Sequence, residues 1–294
     1  MTEPDLLTEG FEENRQRLRA VAYRMLGSFA EADDAVQETW IRASRAGADG
    51  VDSLGAWLTT IVGRVCLNML RSRKARRESL MGVHLPDPVV SRDEGTTPEE
   101  ETLLADSVGL ALQVVLETLT PAERLAFVLH DLFDLPFDEI APMVGRTPAT
   151  ARQLASRARR RVRGGDVHVP EPDIARQREV VTAFFDAAHR GDFEGLVAAL
   201  HPDAVLRADG GTARPEATMV VQGAENVAGQ ALLFHRPGTE LQPALVNGAA
   251  GVVVTQEERV VAIIGLTVSA GRIVELNVMG DPERLARIDL SDLG

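Results

Sequence analysis

Apolar residues recur every three to four positions through the first quarter of the chain. Leu18, Val21, Ala22, Met25, Leu26 and Phe29 keep the spacing of one buried helical face. A second helix is predicted in EADDAVQETWIRASRA, with Ala32, Ala35, Val36 and Trp40 inward and Asp33, Asp34, Gln37 and Glu38 on other faces. The loop AGADGVD precedes a third, with Leu54, Trp57, Leu58, Ile61, Val62, Val65 and Met69 inward, which runs into RSRKARR. The periodicity then stops. Residues 78–107 carry three prolines, two glycines and an acidic cluster, which reads as a linker.

Helices resume near Ser107, and between Pro121 and Arg163 the pattern is helix–turn–helix. PAERLAFVLHDLF is the supporting helix and PFDEIAPMV a second, kept short or bent by Pro142. Gly145 supplies the turn, Thr147 the N-cap and Pro148 the first position of the last helix. On that helix Ala151, Leu154, Ala155, Ala158 and Val162 form the inward stripe, and Arg152, Ser156, Arg159, Arg160 and Arg163 the outer face.

After GGDVHVPEPD the periods change again. Two helices lie in IARQREVVTAFFDAAHRGDFEGLVAAL, a short strand and turn in HPDAVLRADGG, and another helix in GAENVAGQALLFH. The remainder alternates as antiparallel strands joined by Gly-containing turns, an α+β domain.

Charge sharpens this picture. The 294 residues carry 31 Lys+Arg and 44 Asp+Glu, a net charge of −13. Residues 1–165 hold 21 basic and 25 acidic residues, a net of −4, and residues 166–294 a net of −9. Against that background six arginines between Arg152 and Arg163, with no acid among them, form a local patch. Arg64–Arg77 forms another, with six basic residues. Because the Debye length is about 8 Å, such clusters rather than the total decide contact with a polyanion. A solvated helix face is the alternative, but it usually mixes signs. Cys66 is the only cysteine, so an intrachain disulfide and a cysteine-based zinc site are excluded, and its apolar phase reads as a buried thiol. The N-terminus has no apolar targeting segment and no run approaches a membrane span, so a cytoplasmic protein without membrane contact is expected. No cofactor or metal site is read from the chain.

AYRMLGSFAEADDAVQETWIRA, WLTTIVGRVCLNMLRSRKARRE and the helix–turn–helix, in that order over residues 11–163, resemble the extracytoplasmic-function sigma factors of bacteria. The resemblance implies a promoter-recognition subunit whose partners are core RNA polymerase and promoter DNA, with no catalytic residues of its own. It implies that Asp33, Asp34, Gln37 and Glu38 dock on the clamp helices of the largest polymerase subunit. Arg64, Asn68, Arg71, Arg73 and Lys74 would lie near the −10 element. Arg152, Gln153, Ser156, Arg157, Arg160 and Arg163 would meet the −35 element in the major groove. The loop AGADGVD lacks the aromatics on which many relatives rest an unstacked base.

The C-terminal part is similar to SnoaL-like domains, the α+β cone also used by ketosteroid isomerases, and one sigma subgroup carries such a domain in fusion. That subgroup's linker motif reads here Gly82-Val83-His84-Leu85-Pro86-Asp87-Pro88. Its glycine motif reads Asp209-Gly210-Gly211-Thr212-Ala213, and its terminal motif Asp281-Pro282-Glu283-Arg284-Leu285. The resemblance implies that Leu85, Pro86, Pro88, Asp209, Gly210, Gly211, Asp281, Pro282 and Leu285 form a regulatory contact. In the subgroup the fused domain controls sigma activity in cis.

The expected organisation is therefore multidomain: two all-α domains, the second with the helix–turn–helix, then an α+β SnoaL-like cone. Region 2 would span residues 1–79, a linker 80–106, region 4 107–164, a second linker 165–173 and the cone 174–294. Three rivals stay open. The cone could be an enzyme, using Asp209, His201, His235 or Asn277, or a sensor for a small ligand. Residues 107–163 alone could make an ordinary helix–turn–helix regulator, which leaves 11–77 without a purpose.

Overall fold

The computed structural model describes residues 3–77, 83–91, 110–164, 170–234 and 238–288, so Gly82, His235 and most of both expected linkers lie outside the described residues. The chain forms two compact units. Residues 1–81 join 113–167 in one, and residues 82–112 join 168–294 in the other.

The first unit contains α1 (Glu3–Leu26), α2 (Phe29–Ala46), α3 (Leu54–Arg77) and all but the first three residues of α4 (Leu110–Glu117). It continues with α5 (Pro121–Phe127), a π-helical turn (Val128–Leu132), α6 (Phe137–Val144) and α7 (Pro148–Gly164). The predicted stripe of α1 is buried from Leu18 to Leu26, while Phe29 is half-buried and stacks on Tyr23 with ring centroids 4.6 Å apart. Gly27, at φ 72, turns the chain from α1 into α2.

Sequence spacing gives α3 one inward face, and the structure buries more of its circumference. Leu58, Val62, Val65, Cys66, Leu67 and Leu70 are all buried, whereas Trp57, Ile61 and Met69 are half-buried. The reason is that α3 packs on α5 and α6 as well as on α1 and α2. At Gly63 a Cβ would lie 3.2–3.4 Å from Leu129, Met143 and Leu125. The two expected helical domains thus share one compact unit. Burial also pushes the Cys66 thiol up to about 12, which removes thiolate chemistry near neutral pH.

In the second unit α8 (Ile174–Arg190), α9 (Phe193–Ala199) and α10 (Ala224–Phe234) pack on a sheet. Asp173 caps α8 through the Ala175 and Arg176 N–H groups, and Asp192 caps α9 through the Gly195 N–H. The strands are β1 (Val90–Ser91), β2 (Leu200–Asp209), β3 (Met219–Gln222), β4 (Thr239–Val246), β5 (Ala249–Gln256), β6 (Arg259–Ser269) and β7 (Arg272–Met279). Among the described residues they form a seven-stranded sheet in the order β1-β4-β5-β6-β7-β2-β3. Phe184, Leu196, Leu206, Val227, Val252, Leu266 and Leu276 fill the core of this unit. Each contributes about 1.5–3 kcal/mol by burial.

Two expectations change here. The sheet is mixed, because β2 and β7 pair in parallel. The chain leaves β2 through β3 and α10, runs a β4–β7 meander, and returns alongside β2 from the far side. The strand expected to be short is ten residues long, and β3 was not expected at all. A final helical turn, α11 (Pro282–Leu285), follows β7.

Candidate nucleic-acid interface and linker clamp

On α7 the local sequence sets the presentation. The Thr150 N–H donates to Thr147 Oγ1 at 3.3 Å, and Pro148 opens the helix. Ala151, Ala155 and Ala158 are fully buried, small enough to bring the helix close to α5 and α6. Arg152, Gln153, Ser156, Arg157 and Arg160 are exposed together. Arg159 is not free, because its Nε donates to Asp131 Oδ1 at 2.6 Å, and Arg161 donates to Glu123 Oε2 at 2.7 Å. These two carboxylates relieve part of the arginine self-repulsion. The side chain of Arg163, like that of Lys74 on α3, lies outside the described residues.

On α3, Arg64, Asn68 and Arg71 are exposed at helical spacing, and so share a face. Arg73 is turned away from that face. Its Nη2 donates to Leu26 O at 2.9 Å, it forms an ion pair with Glu31, and Nη1 lies 3.8 Å from Glu117. The open carbonyls at the C-terminus of α1 attract the guanidinium inward, so Arg73 packs against that terminus and not beside Arg64, Asn68 and Arg71. Arg124, which spacing alone did not single out, plays the same part: fully buried, it donates to Arg24 O at 3.1 and 3.0 Å and to Glu117 Oε1 at 2.7 Å.

On α2, Asp34 and Gln37 are exposed, Asp33 accepts from Arg19 at 2.6 Å and Glu38 accepts from Arg42 at 2.8 Å. Such exposed pairs are worth about 0.2–1 kcal/mol, so a partner can replace them at little cost.

A fourth site is in the second unit. Residues 83–91 lie on its sheet as a strap whose last two residues are β1, paired antiparallel with β4 at Val90↔Val246 and Ser91↔Leu245. Asn247 holds the next residue from both sides: its Oδ1 accepts from the Val89 N–H at 2.6 Å and its own N–H donates to Val89 O at 2.7 Å. At the other end Asp209 Oδ2 accepts from the Leu85 N–H at 2.8 Å. Arg284 ties the pieces together. It donates to Leu85 O at 2.5 Å, to Asp87 Oδ1 at 2.6 Å and to Asp209 Oδ2 at 2.9 Å. His84 Nδ1 lies 3.5 Å from Asp209 and 3.4 Å from Arg284 Nη1. Leu85, Pro86, Asp87 and Pro88 are buried.

The glycines and the α11 cap build this clamp. Asp281 accepts from the Glu283 and Arg284 N–H groups at 2.9 and 3.4 Å, which orients α11 and therefore the Arg284 side chain. Gly211, at φ 64, donates to Asp209 Oδ1 at 3.0 Å, and a Cβ there would lie 2.1 Å from Asp281 Oδ2. A Cβ on Gly210 would lie 2.2 Å from Arg214 O. Pro282 is half-buried and Leu285 buried beside them. The motifs contain Asp87 and Arg284, yet the residues named from them for the contact included Asp209, Asp281 and the glycines and not these two; Asn247 lies outside every motif.

Of the polar groups considered for catalysis, Asp209 and Asn277 stand on the paired strands β2 and β7, with Asn277 opposite Arg207, and His201 does not join them. Asp209 is engaged by Leu85, Gly211 and Arg284. His201 Nδ1 accepts from the Asp203 N–H at 3.2 Å, at the opposite end of β2 from Asp209. Asn277 is buried with Nδ2 donating to Glu275 at 3.2 Å. Among the described residues no group of three His, Cys, Asp or Glu could hold a metal ion, and no helix is long and apolar enough to cross a membrane.

Comparison with known proteins bears on these four sites. Residues 11–76 match Sigma-70 region 2 and residues 109–162 match Sigma-70, region 4. The chain is 39% identical over 295 residues to the ECF RNA polymerase sigma factor SigJ of Mycobacterium tuberculosis, covering 96% of this chain and 94% of that one. The chain is an extracytoplasmic-function sigma factor. A second relative, the probable ECF sigma factor SigI of the same species, is 34% identical over 97% of each chain. The crystal structure of Mycobacterium tuberculosis SigJ superposes on this sigma factor with a TM-score of 0.73 and 35% identity, covering 96% of this chain and 99% of that one. The sigma factor therefore binds core RNA polymerase and promoter DNA, and its family initiates transcription rather than catalysing a reaction of its own.

Proposed function

We propose that this sigma factor directs promoter-specific initiation in the cytoplasm through three surfaces and is controlled in cis by its second unit. Asp33, Asp34, Gln37 and Glu38 on α2 meet the clamp helices of the largest polymerase subunit. Arg64, Asn68 and Arg71 on α3 meet the −10 element. Arg152, Gln153, Ser156, Arg157 and Arg160 on α7 meet the −35 element, where arginine suits both phosphate and the guanine edge.

The clamp of Arg284 on Leu85, Asp87 and Asp209 carries the reading of control. Residues 83–91 belong to the segment that joins the −10 helix α3 to the −35 domain. Holding them on the second unit restricts the path the chain can take between the two DNA-reading elements. Tethering supplies an effective concentration in the millimolar range, so a few hydrogen bonds keep the strap occupied.

Substitution Arg284→Ala tests this. Transcription by core polymerase with the full-length variant, on promoters selected from a random library, should change at least several-fold relative to the parent, up or down. Equal transcription on every promoter would sink cis control while leaving the sigma activity itself untouched.

A further inference from the structure

We propose that Phe137 is a positioning residue for promoter specificity, holding the Arg152 guanidinium in the attitude in which it reads a base. The inference rests on the reading of α7 as the −35 helix. Arg159 and Arg161 are steered by Asp131 and Glu123. Arg152, near the N-terminus of α7 where recognition helices address base edges, has no carboxylate against it among the described residues. Its guanidinium lies over the Phe137 ring, 5.6 Å from the centroid, and remains exposed.

The choice of an aromatic partner has a chemical consequence. A carboxylate would neutralise the guanidinium and occupy its N–H groups. A ring face attracts the cation through its quadrupole and takes none of the five donors. They stay available for a bidentate contact with guanine O6 and N7. The ring also restricts the rotamers of a long side chain before DNA arrives.

Phe137 is itself fixed from behind. It opens α6 and is half-buried, with its ring against His130 at a centroid distance of 3.9 Å and an interplanar angle of 34°. His130 cannot swing away, because its Nδ1 is 2.9 Å from Leu135 O. A carbonyl only accepts, so Nδ1 carries the proton. The Leu135 N–H in turn donates to Leu129 O at 2.8 Å, and Asp134, at φ 55, makes the tight turn that returns the chain to this point. The π-helical turn Val128–Leu132 supplies both His130 and Leu129. Turn, histidine, phenylalanine and arginine form one stack that ends on the DNA-facing side of α7.

The experiment uses the full-length chain with core polymerase and a promoter library randomised over the −35 element. Arg152→Ala should abolish the preference at one base position. Phe137→Leu should weaken that same preference about two- to fivefold, the loss expected for a cation–π contact near the surface. Other positions and the salt dependence should stay unchanged. Phe137→Tyr, which keeps the ring, should restore the preference, and Phe137→Leu should add nothing to Arg152→Ala. Phe137→Met serves as a second apolar variant if the leucine form melts below the assay temperature. Equal weakening at every position, or an intact preference in both apolar variants, would overturn the positioning role alone. An Arg152→Ala variant that keeps every preference would overturn the base-reading role of Arg152, and the positioning role with it.

Discussion

At the scale of single residues, buried or unusual backbone positions mark where this chain departs from its local rules. The β4–β5 and β6–β7 hairpins turn through Asn247-Gly248 and Ala270-Gly271, each with positive φ at both positions and a glycine at the second. The β5–β6 hairpin turns through Glu257 (φ 51) and Glu258 (φ 63) instead. A non-glycine residue held there costs roughly 1–2 kcal/mol, and two adjacent carboxylates add repulsion. Glu258→Gly should therefore stabilise the protein by about 1 kcal/mol, because the relief of strain exceeds the added entropy of the unfolded chain. Urea unfolding followed at the second unit checks this, and a lower midpoint would show that Glu258 makes a contact worth more than its strain.

Among the elements, the N-terminus of α5 shows how a local signal acquires a tertiary role. Thr120 and Glu123 form a capping box, with the Glu123 N–H donating to Thr120 Oγ1 and the Thr120 N–H to Glu123 Oε2. Glu123 also holds Arg161 of α7 at 2.7 Å. Burial pushes the Glu123 carboxyl up, but the Thr120 hydrogen bonds and Arg161 outweigh it and leave it below the ordinary 4.5. A carboxyl with a folded value below its unfolded one binds fewer protons when folded. Its stabilisation is present above about pH 4.5 and is lost as pH falls through the folded value. Glu123→Gln keeps an acceptor for the Thr120 N–H but loses the charge facing Arg161, so it should lower stability at pH 7 by about 0.2–1 kcal/mol, as expected for a partly exposed ion pair. The difference should shrink as the pH falls below about 4.5 through the folded value, and thermal melts taken from pH 7 into acid would reveal a constant difference if the carboxylate charge were not the cause.

For the molecule as a whole, the strap makes residues 83–91 part of the second unit, although in sequence they lie between α3 and α4. If its anchors hold, the Leu85 and Val89 amides should be protected from hydrogen exchange. Under rising urea their protection should fall together with that of β4 rather than with that of α3. Exchange at the rate of an unstructured peptide would mean that the anchors open freely. The same division explains what could be read in advance. Helical spacing, the Thr147–Pro148 start of α7, the arginine faces and the collinear motifs are local properties, so residues 11–163 yielded their elements and family from sequence alone. Three matters were settled by residues far apart in the chain. Arg73 and Arg124 turn inward because the C-terminal carbonyls of α1 are within reach, which periodicity cannot register. The parallel β2–β7 pair joins strands separated by the whole meander. Arg284 meets Leu85, Asp87 and Asp209 only because α11 follows β7, and β7 lies beside β2. Sequence determined the helices, their charged faces and the kind of protein; long-range packing decided which of those charges stay exposed and which hold the chain together.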